Sequence, residues 1–223
     1  MNNKITSLRE KFRVALTSTA KVISEDFTLK NDKLKNSNIL EIDDIKNPND
    51  FIRVRAYTDS EALKKKFSNN LIHKRNLPSN STSRLLYNIA EKIRCESLGG
   101  QMLKGIKKNF DKNYNLMINL KKKDQLKTKE DVPITEAFEL YMLKNFHQIK
   151  LNPLTSKMLG FWEKTLEKSI EKHKKFLQEN LEDQNNYGSR FTKIFEDMDI
   201  FQKEEDEVRF TVILFNFLLI RGA

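Results

Sequence analysis

The sequence predicts a mainly α protein: an antiparallel helical assembly with one small β-hairpin near residues 26–42. Two observations carry this reading. Apolar residues recur every three or four positions over most of the 223-residue chain, the spacing that lines one face of a helix. The segments between these stripes are short enough for neighbouring helices to pack against one another, and no repeat of 20–50 residues is present.

The elements follow in chain order. Leu8, Phe12, Ala15, Leu16 and Thr19 make a first amphipathic helix to about Val22. Two short β-like runs, residues 26–29 and 39–42, flank a polar stretch and pair as the hairpin. A helical pattern resumes at Asn49, with Asn47 and Pro48 as a stop before it and residues 76–78 as a stop after it. Residues 79–83 are a run of capping residues, and Leu86, Ile89, Ala90, Ile93 and Ser97 then form the clearest stripe in the chain. Gly99 and Gly100 interrupt it, after which Met102, Leu103, Ile106 and Phe110 resume the rhythm. The lysine-rich residues 121–129 read as an exposed turn or linker. Pro133 and Thr135 introduce another helix through Phe146 and Ile149. After Asn152 and Pro153 a long pattern runs from Leu159 through Trp162, Leu166, Ile170, His173, Leu177 and Leu181, with a bend expected at residues 185–188. Tyr187, Phe191, Ile194, Phe195 and Met198 extend the apolar face to about residue 200.

Composition narrows the class. The chain is too apolar for a disordered one, at 38% hydrophobic with 15 phenylalanines, and its 6 glycines exclude a collagen-like chain. The single cysteine, Cys95, excludes a disulfide framework or a multi-thiolate zinc site. The net charge of +10 rests on 31 lysines against 10 arginines, beside 22 asparagines. Both abundant residues have A/T-rich codons, and a phosphate-binding protein would favour arginine's bidentate fork. Nine lysines against Asp111 and Asp124 fall in residues 103–129, a solvated face or linker on one reading and an anion-binding patch on the other. Residues 1–20 contain no apolar core of a signal peptide, so a cytoplasmic location is expected.

Catalytic constellations are missing from the sequence. It has no glycine-rich loop ending in Lys-Ser/Thr and no Gly-x-Ser-x-Gly elbow. His73, His147 and His173 lie far apart and read as surface or packing residues rather than ligands. Arg94 beside Cys95 could lower the thiol's pKa, but a lone helical cysteine reads first as a small apolar residue. The local cluster is Glu91, Arg94 and Glu96. It is either a weak i,i+3 ion pair worth a few tenths of a kcal/mol, or an internal polar network that docks another helix or subunit.

Those residues carry a family resemblance. Tyr87, Glu91, Arg94, Glu96, Gly99, Met102, Gly105 and Asn109 fall in the pattern aromatic, Glu-x-x-Arg-x-Glu-x-x-Gly, Met, Gly-x-x-x-Asn. This resembles the N-terminal region of CobT, a subunit of the aerobic, ATP-dependent cobaltochelatase. Upstream, Asp59, Ala62, Leu63, His73 and Pro78 fit the family, as do residues 136–140, Trp162 and residues 181–200 downstream, so the resemblance spans about residues 5–202. Two positions depart: Ser68 and Asn69 replace a His-Asp pair, and Lys92 stands where Gln is usual.

The resemblance implies residues 1–202 as a helical CobT N-terminal-like region. Residues 203–223 would be the start of an acidic linker followed by an atypical apolar tail, FTVILFNFLLI at 210–220. That tail is too short to span a bilayer as a helix. It reads as a final helix or strand, an interfacial anchor, or the product of truncation and a shifted frame. CobT proteins continue into a von Willebrand A domain whose Asp-x-Ser-x-Ser motif does not occur here. The implied function is a non-catalytic subunit of a machine inserting cobalt into hydrogenobyrinic acid a,c-diamide. It would couple a CobS-like AAA+ ATPase to the large chelatase subunit and form homo-oligomers, with ATP and cobalt handled by the partners and no cofactor of its own. His73, Glu91, Arg94, Glu96, Gly99, Gly105 and Asn109 are the candidate assembly or structural residues. Two other classes remain: an adaptor of an AAA+/von Willebrand A pair unrelated to cobalt, and nucleic-acid binding through residues 104–129 with Phe110 and Tyr114 as stacking platforms. The latter is disfavoured by so few aromatics, and no membrane attachment is expected.

Overall fold

The computed structural model describes residues 2–28, 45, 47–121 and 126–198, with side chains from Glu10 onward. Among the described residues it is mainly α and contains no strand. Of the expected hairpin, residues 26–28 lie in turn structure and residues 29–44 fall outside the described residues. The apolar tail and the acidic segment before it, residues 199–223, also fall outside them.

Helix α1 (Asn2–Ser24) ends with Glu25 in the left-handed region, φ 55°. Ion pairs from Glu25 to Lys66 and from Asp26 to Lys65 tie this end to α2 (Pro48–Phe67). At the other end of α2, Asn47 closes a capping box with Asp50 and Pro48 occupies the first turn, where its missing N–H costs nothing. Leu16, Ile45 and Val54 form a small core between the two helices, extended by an edge-to-face contact of Phe12 on Phe51 at 4.8 Å.

The expected single helix over residues 49–75 is divided. Helix α2 stops at Phe67 and the short α3 (Asn70–Arg75) starts under an Asn69 cap. The cause is long-range: the Phe67 carbonyl accepts from Arg94 and the Asn69 amide donates to Gln184, so the ladder is broken by better partners.

Helix α4 (Ser81–Met102) is the axis of the fold and touches α2, α5, α6 and α10. Asn80 caps it through the Ser83 amide. A one-residue elbow at Leu103 leads to α5 (Lys104–Leu120), which turns back along α4, Gly100 facing Lys107 and Glu96 facing Tyr114. A short 3₁₀ turn (Lys129–Asp131) precedes α6 (Ile134–Asn145). The long pattern after Pro153 is not one helix. It divides into α7 (Pro153–Gly160), α8 (Glu163–Ile170), a 3₁₀ turn (Glu171–His173), α9 (Lys174–Glu179) and α10 (Gln184–Glu196). The break falls at residues 180–183, where Asp183 caps α10, and not at 185–188 as expected. Helix α10 runs antiparallel to α4: Gln184 meets Glu91, Tyr187 meets Ala90 and Gly188 lies under Tyr87. Phe138 of α6 packs edge-on against Phe191 and Phe195 of α10 to fill the main core. Among the described residues no helix is long and apolar enough to cross a membrane.

Gly99 and Gly100 do not interrupt α4, which continues to Met102. Gly99 is needed for approach: a Cβ there would lie 2.3 Å from Cδ1 of Leu63, a fully buried side chain on α2. Gly100 has only ordinary contacts with Lys107, beginning at 3.5 Å. Gly99→Ala therefore destabilises by about 1–2 kcal/mol, overpacking outweighing the gain in helix propensity. Gly100→Ala should be neutral or stabilising, and chemical denaturation of the two variants measures the difference.

Candidate functional site

Among the described residues, the charged Arg94 heads the large side chains that are fully buried, at 1% exposed. It lies one helical turn after Glu91 on α4, which aims both groups at the same face. Nε of Arg94 donates to Oε2 of Glu91 at 2.8 Å and Nη2 donates to Oε1 at 2.9 Å, a bidentate pair. The remaining donors reach off the helix. Nη1 donates to the Leu181 carbonyl at 2.7 Å and Nη2 to the Phe67 carbonyl at 2.6 Å. Phe67 ends α2, so the cation also meets the negative end of that helix dipole. Burial pushes the Arg94 pKa down, but Glu91 more than offsets this and the guanidinium is held above its ordinary value.

Gln184, at the start of α10, closes the ring. Its Nε2 donates to Glu91 Oε1 at 3.0 Å, to Ser68 Oγ at 3.1 Å and to the Asn69 carbonyl at 3.2 Å, and its Oε1 accepts from the Asn69 amide at 2.7 Å. Ser68 and Asn69, the departures from the resembled pattern, thus sit on the rim of this knot. One charge pair joins the end of α2, the middle of α4 and the entry to α10. The weak surface ion pair is not what forms; the internal network is.

Cys95 lies beside the pair, 3.8 Å from both Arg94 Nη2 and Glu91 Oε1. Burial, then the Glu91 carboxylate, push its thiol up to about 12. Arg94 lowers it, but burial and Glu91 outweigh that, and Cys95 sits as the small buried residue its helical position suggests.

Glu96 points away from this knot into a second one. It is 1% exposed, accepts from Ser60 Oγ at 2.7 Å, and accepts a short hydrogen bond from the Tyr114 hydroxyl. Burial raises its pKa against the lowering field of Lys92, whose own amine pairs with Glu139 at 3.4 Å. Tyr114 is raised by burial and by Glu96. His147 Nε2 approaches Glu96 Oε2 at 3.7 Å and has no hydrogen-bond partner among the described residues. Phe110 and Tyr114 are both 1% exposed, so neither can serve as a stacking platform for nucleic acid.

The other candidates are placed as follows. Asn109 of α5 donates to Asp59 Oδ2 of α2 at 2.7 Å, while burial raises the Asp59 pKa and its Oδ1 lacks a partner among the described residues. The His73 ring is tilted against Tyr87 at 5.0 Å, with Nδ1 likewise lacking a partner. Gly105 is exposed, and a Cβ there would meet nothing within 4 Å; nothing in the structure explains a glycine at this position. The structure brings Glu91 and Arg94 together, sets Glu96 and Asn109 on neighbouring contacts, and leaves Gly105 apart.

Between α2, α4 and α5 lies an open cleft of about 630 Å³. Tyr57, Ser60, Lys92, Tyr114, Met117 and His73 line it among others, with Glu91 and Glu96 in its walls. Among the described residues, no group of three or more His, Cys, Asp or Glu side chains could hold a metal ion.

The sequence model of the family described as cobalamin biosynthesis protein CobT matches residues 6–209. The chain belongs to the CobT family. Comparison with curated proteins and with solved structures gave no match. The CobT motif on α4 therefore corresponds here to two buried charge knots and one close helix contact. Sequence reasoning had found Glu91, Arg94 and Glu96 but not Gln184, Ser60 or His147. Gln184 lies in a stretch already similar to CobT, and that similarity was the signal available.

His147 supplies a pH test. Burial and then Lys107 push its pKa down to about 4 from an ordinary 6.5. The unfolded chain binds this proton more readily, so the stability tied to neutral His147 is complete above pH 6.5 and is lost as pH falls through about 4. Relative to His147→Leu, the wild-type chain should lose up to about 3 kcal/mol between neutral pH and pH 4. Comparing the two by urea unfolding across that range isolates His147 from the opposing shift of Glu96.

Proposed function

We propose that this CobT-family chain is a non-catalytic subunit of an ATP-dependent cobaltochelatase, the machine that inserts cobalt into hydrogenobyrinic acid a,c-diamide in cobalamin biosynthesis. Family membership over residues 6–209 carries the reading. The chain's part is mechanical, coupling a CobS-like AAA+ ATPase to the large chelatase subunit in the cytoplasm, with self-association into a homo-oligomer. ATP and cobalt are handled by the partner subunits.

Support for a mechanical part comes from how the motif charges are used. Glu91 and Arg94 bind each other and two backbone carbonyls, and Glu96 binds Ser60 and Tyr114. Buried and satisfied, these groups stiffen the helical body. A stiff body transmits the movement of one partner to another. Glu91 and Glu96 help to line the cleft between α2, α4 and α5, and it is the candidate face for the ATPase.

The test is co-purification. Tagged chain should retain the CobS-like ATPase of the same cell, and Arg53→Ala/Tyr57→Ala in the cleft should weaken that retention at least about tenfold with little change in melting temperature. An ATPase that is not retained by the folded wild-type chain would overturn the proposal.

A further inference from the structure

A groove of about 460 Å³ lies between α8 and the end of α10, and none of the α4 motif residues lines it. One wall is a lysine ridge: Lys164, Lys168 and Lys172 recur at four-residue spacing, all exposed. At the helical rise this ridge is roughly 12 Å long. None of the three forms an ion pair among the described residues, although Lys174 and Lys175 just beyond them do. His173 lines the same groove, its Nδ1 accepts from Arg190 at 3.3 Å, and burial and then Arg190 lower its pKa. Asp197 is the one carboxylate in the lining, and Met198 also lines the groove.

A surface with three unpaired ammonium groups and one acid calls for carboxylates. The sequence supplies them nearby. Residues 199–207 read DIFQKEEDE, five acids against one lysine, and they follow directly on Met198. Five residues lie between Met198 and Glu204, and the six steps reach up to roughly 20 Å when extended, ample for the length of the ridge. The short tether gives a high effective concentration.

We propose that this groove is a docking site for a carboxylate-rich peptide, and that its occupant is the acidic segment 199–207 of the same chain. Glu204, Glu205, Asp206 and Glu207 would pair with Lys164, Lys168 and Lys172. The attraction is between exposed charges, so it is weak per pair and screened by salt. An acidic segment of a partner would compete for the same ridge, which makes the groove a point of control over which chain is engaged.

Zero-length carbodiimide coupling, which joins an amine to a carboxylate in contact, tests this on the full chain. The Lys144–Glu163 pair, at 2.6 Å, is the internal positive control. The expected result is coupling of Lys164, Lys168 or Lys172 to residues 204–207, read by mass spectrometry. In a mixture of ¹⁵N-labelled and unlabelled chains the coupled peptides should carry one label only. Yield should fall roughly tenfold as salt rises from about 0.05 M to about 0.5 M, and Lys168→Glu/Lys172→Glu should lower it similarly. Control coupling without any ridge coupling would overturn the proposal, as would coupling scattered over lysines elsewhere. Mixed-label products alone would overturn it too, assigning the groove to a second copy.

Discussion

The buried Arg94–Glu91 pair is the constraint on which the rest of the fold depends. Removing two charges from water costs several kcal/mol per ion, and their attraction offsets this only when geometry is good and the remaining donors are satisfied. Both conditions are met. The carboxylate is held bidentately, and two guanidinium donors go to the carbonyls of Phe67 and Leu181. Those carbonyls lie where α2 ends and where the chain turns into α10. The pair thereby ties α4 to two positions 27 and 87 residues from Arg94. A hydrophobic substitute could fill the volume but would leave both carbonyls without their donor.

This arrangement changes what the CobT motif means in this chain. Charged residues in a well-spaced pattern invite a reading as ligands or catalysts. Here they are helix-to-helix joints: Glu91 and Arg94 on one side of α4, Glu96 with Ser60 and Tyr114 on another, and Gly99 allowing α2 to approach. These joints frame the cleft between α2, α4 and α5, while most lysines of the described residues are exposed or half-buried. The exposed lysines and the motif's charges thus occupy different places among the described residues: Glu91, Arg94 and Glu96 belong to the interior.

Much of the architecture was legible in sequence, for physical reasons. Asn47 with Pro48 and Asn152 with Pro153 are local start signals that no distant contact overrides, and both open helices. The stripe through Leu86, Ala90 and Ile93 is buried as its spacing predicts. Three of the misreadings share one cause, a distant partner. The α2–α3 break depends on Arg94 and Gln184, and the continuation of α4 through Gly99 depends on Leu63. Gly188 likewise sits inside α10 because Tyr87 closes over it, the hydroxyl 2.6 Å from where a Cβ would be. The pairing of Glu91 with Arg94 was visible from i,i+3 spacing, but its burial and its link to Gln184 were not.

A double-mutant cycle on Glu91 and Arg94, followed by urea unfolding, tests this account most directly. Arg94→Met and Glu91→Gln should each destabilise by about 3–5 kcal/mol, because each leaves an uncompensated buried group. The double variant should be clearly less damaged than the sum, with a coupling of roughly 2 kcal/mol or more. Single variants within about 0.5 kcal/mol of wild type, or strictly additive effects, would contradict it.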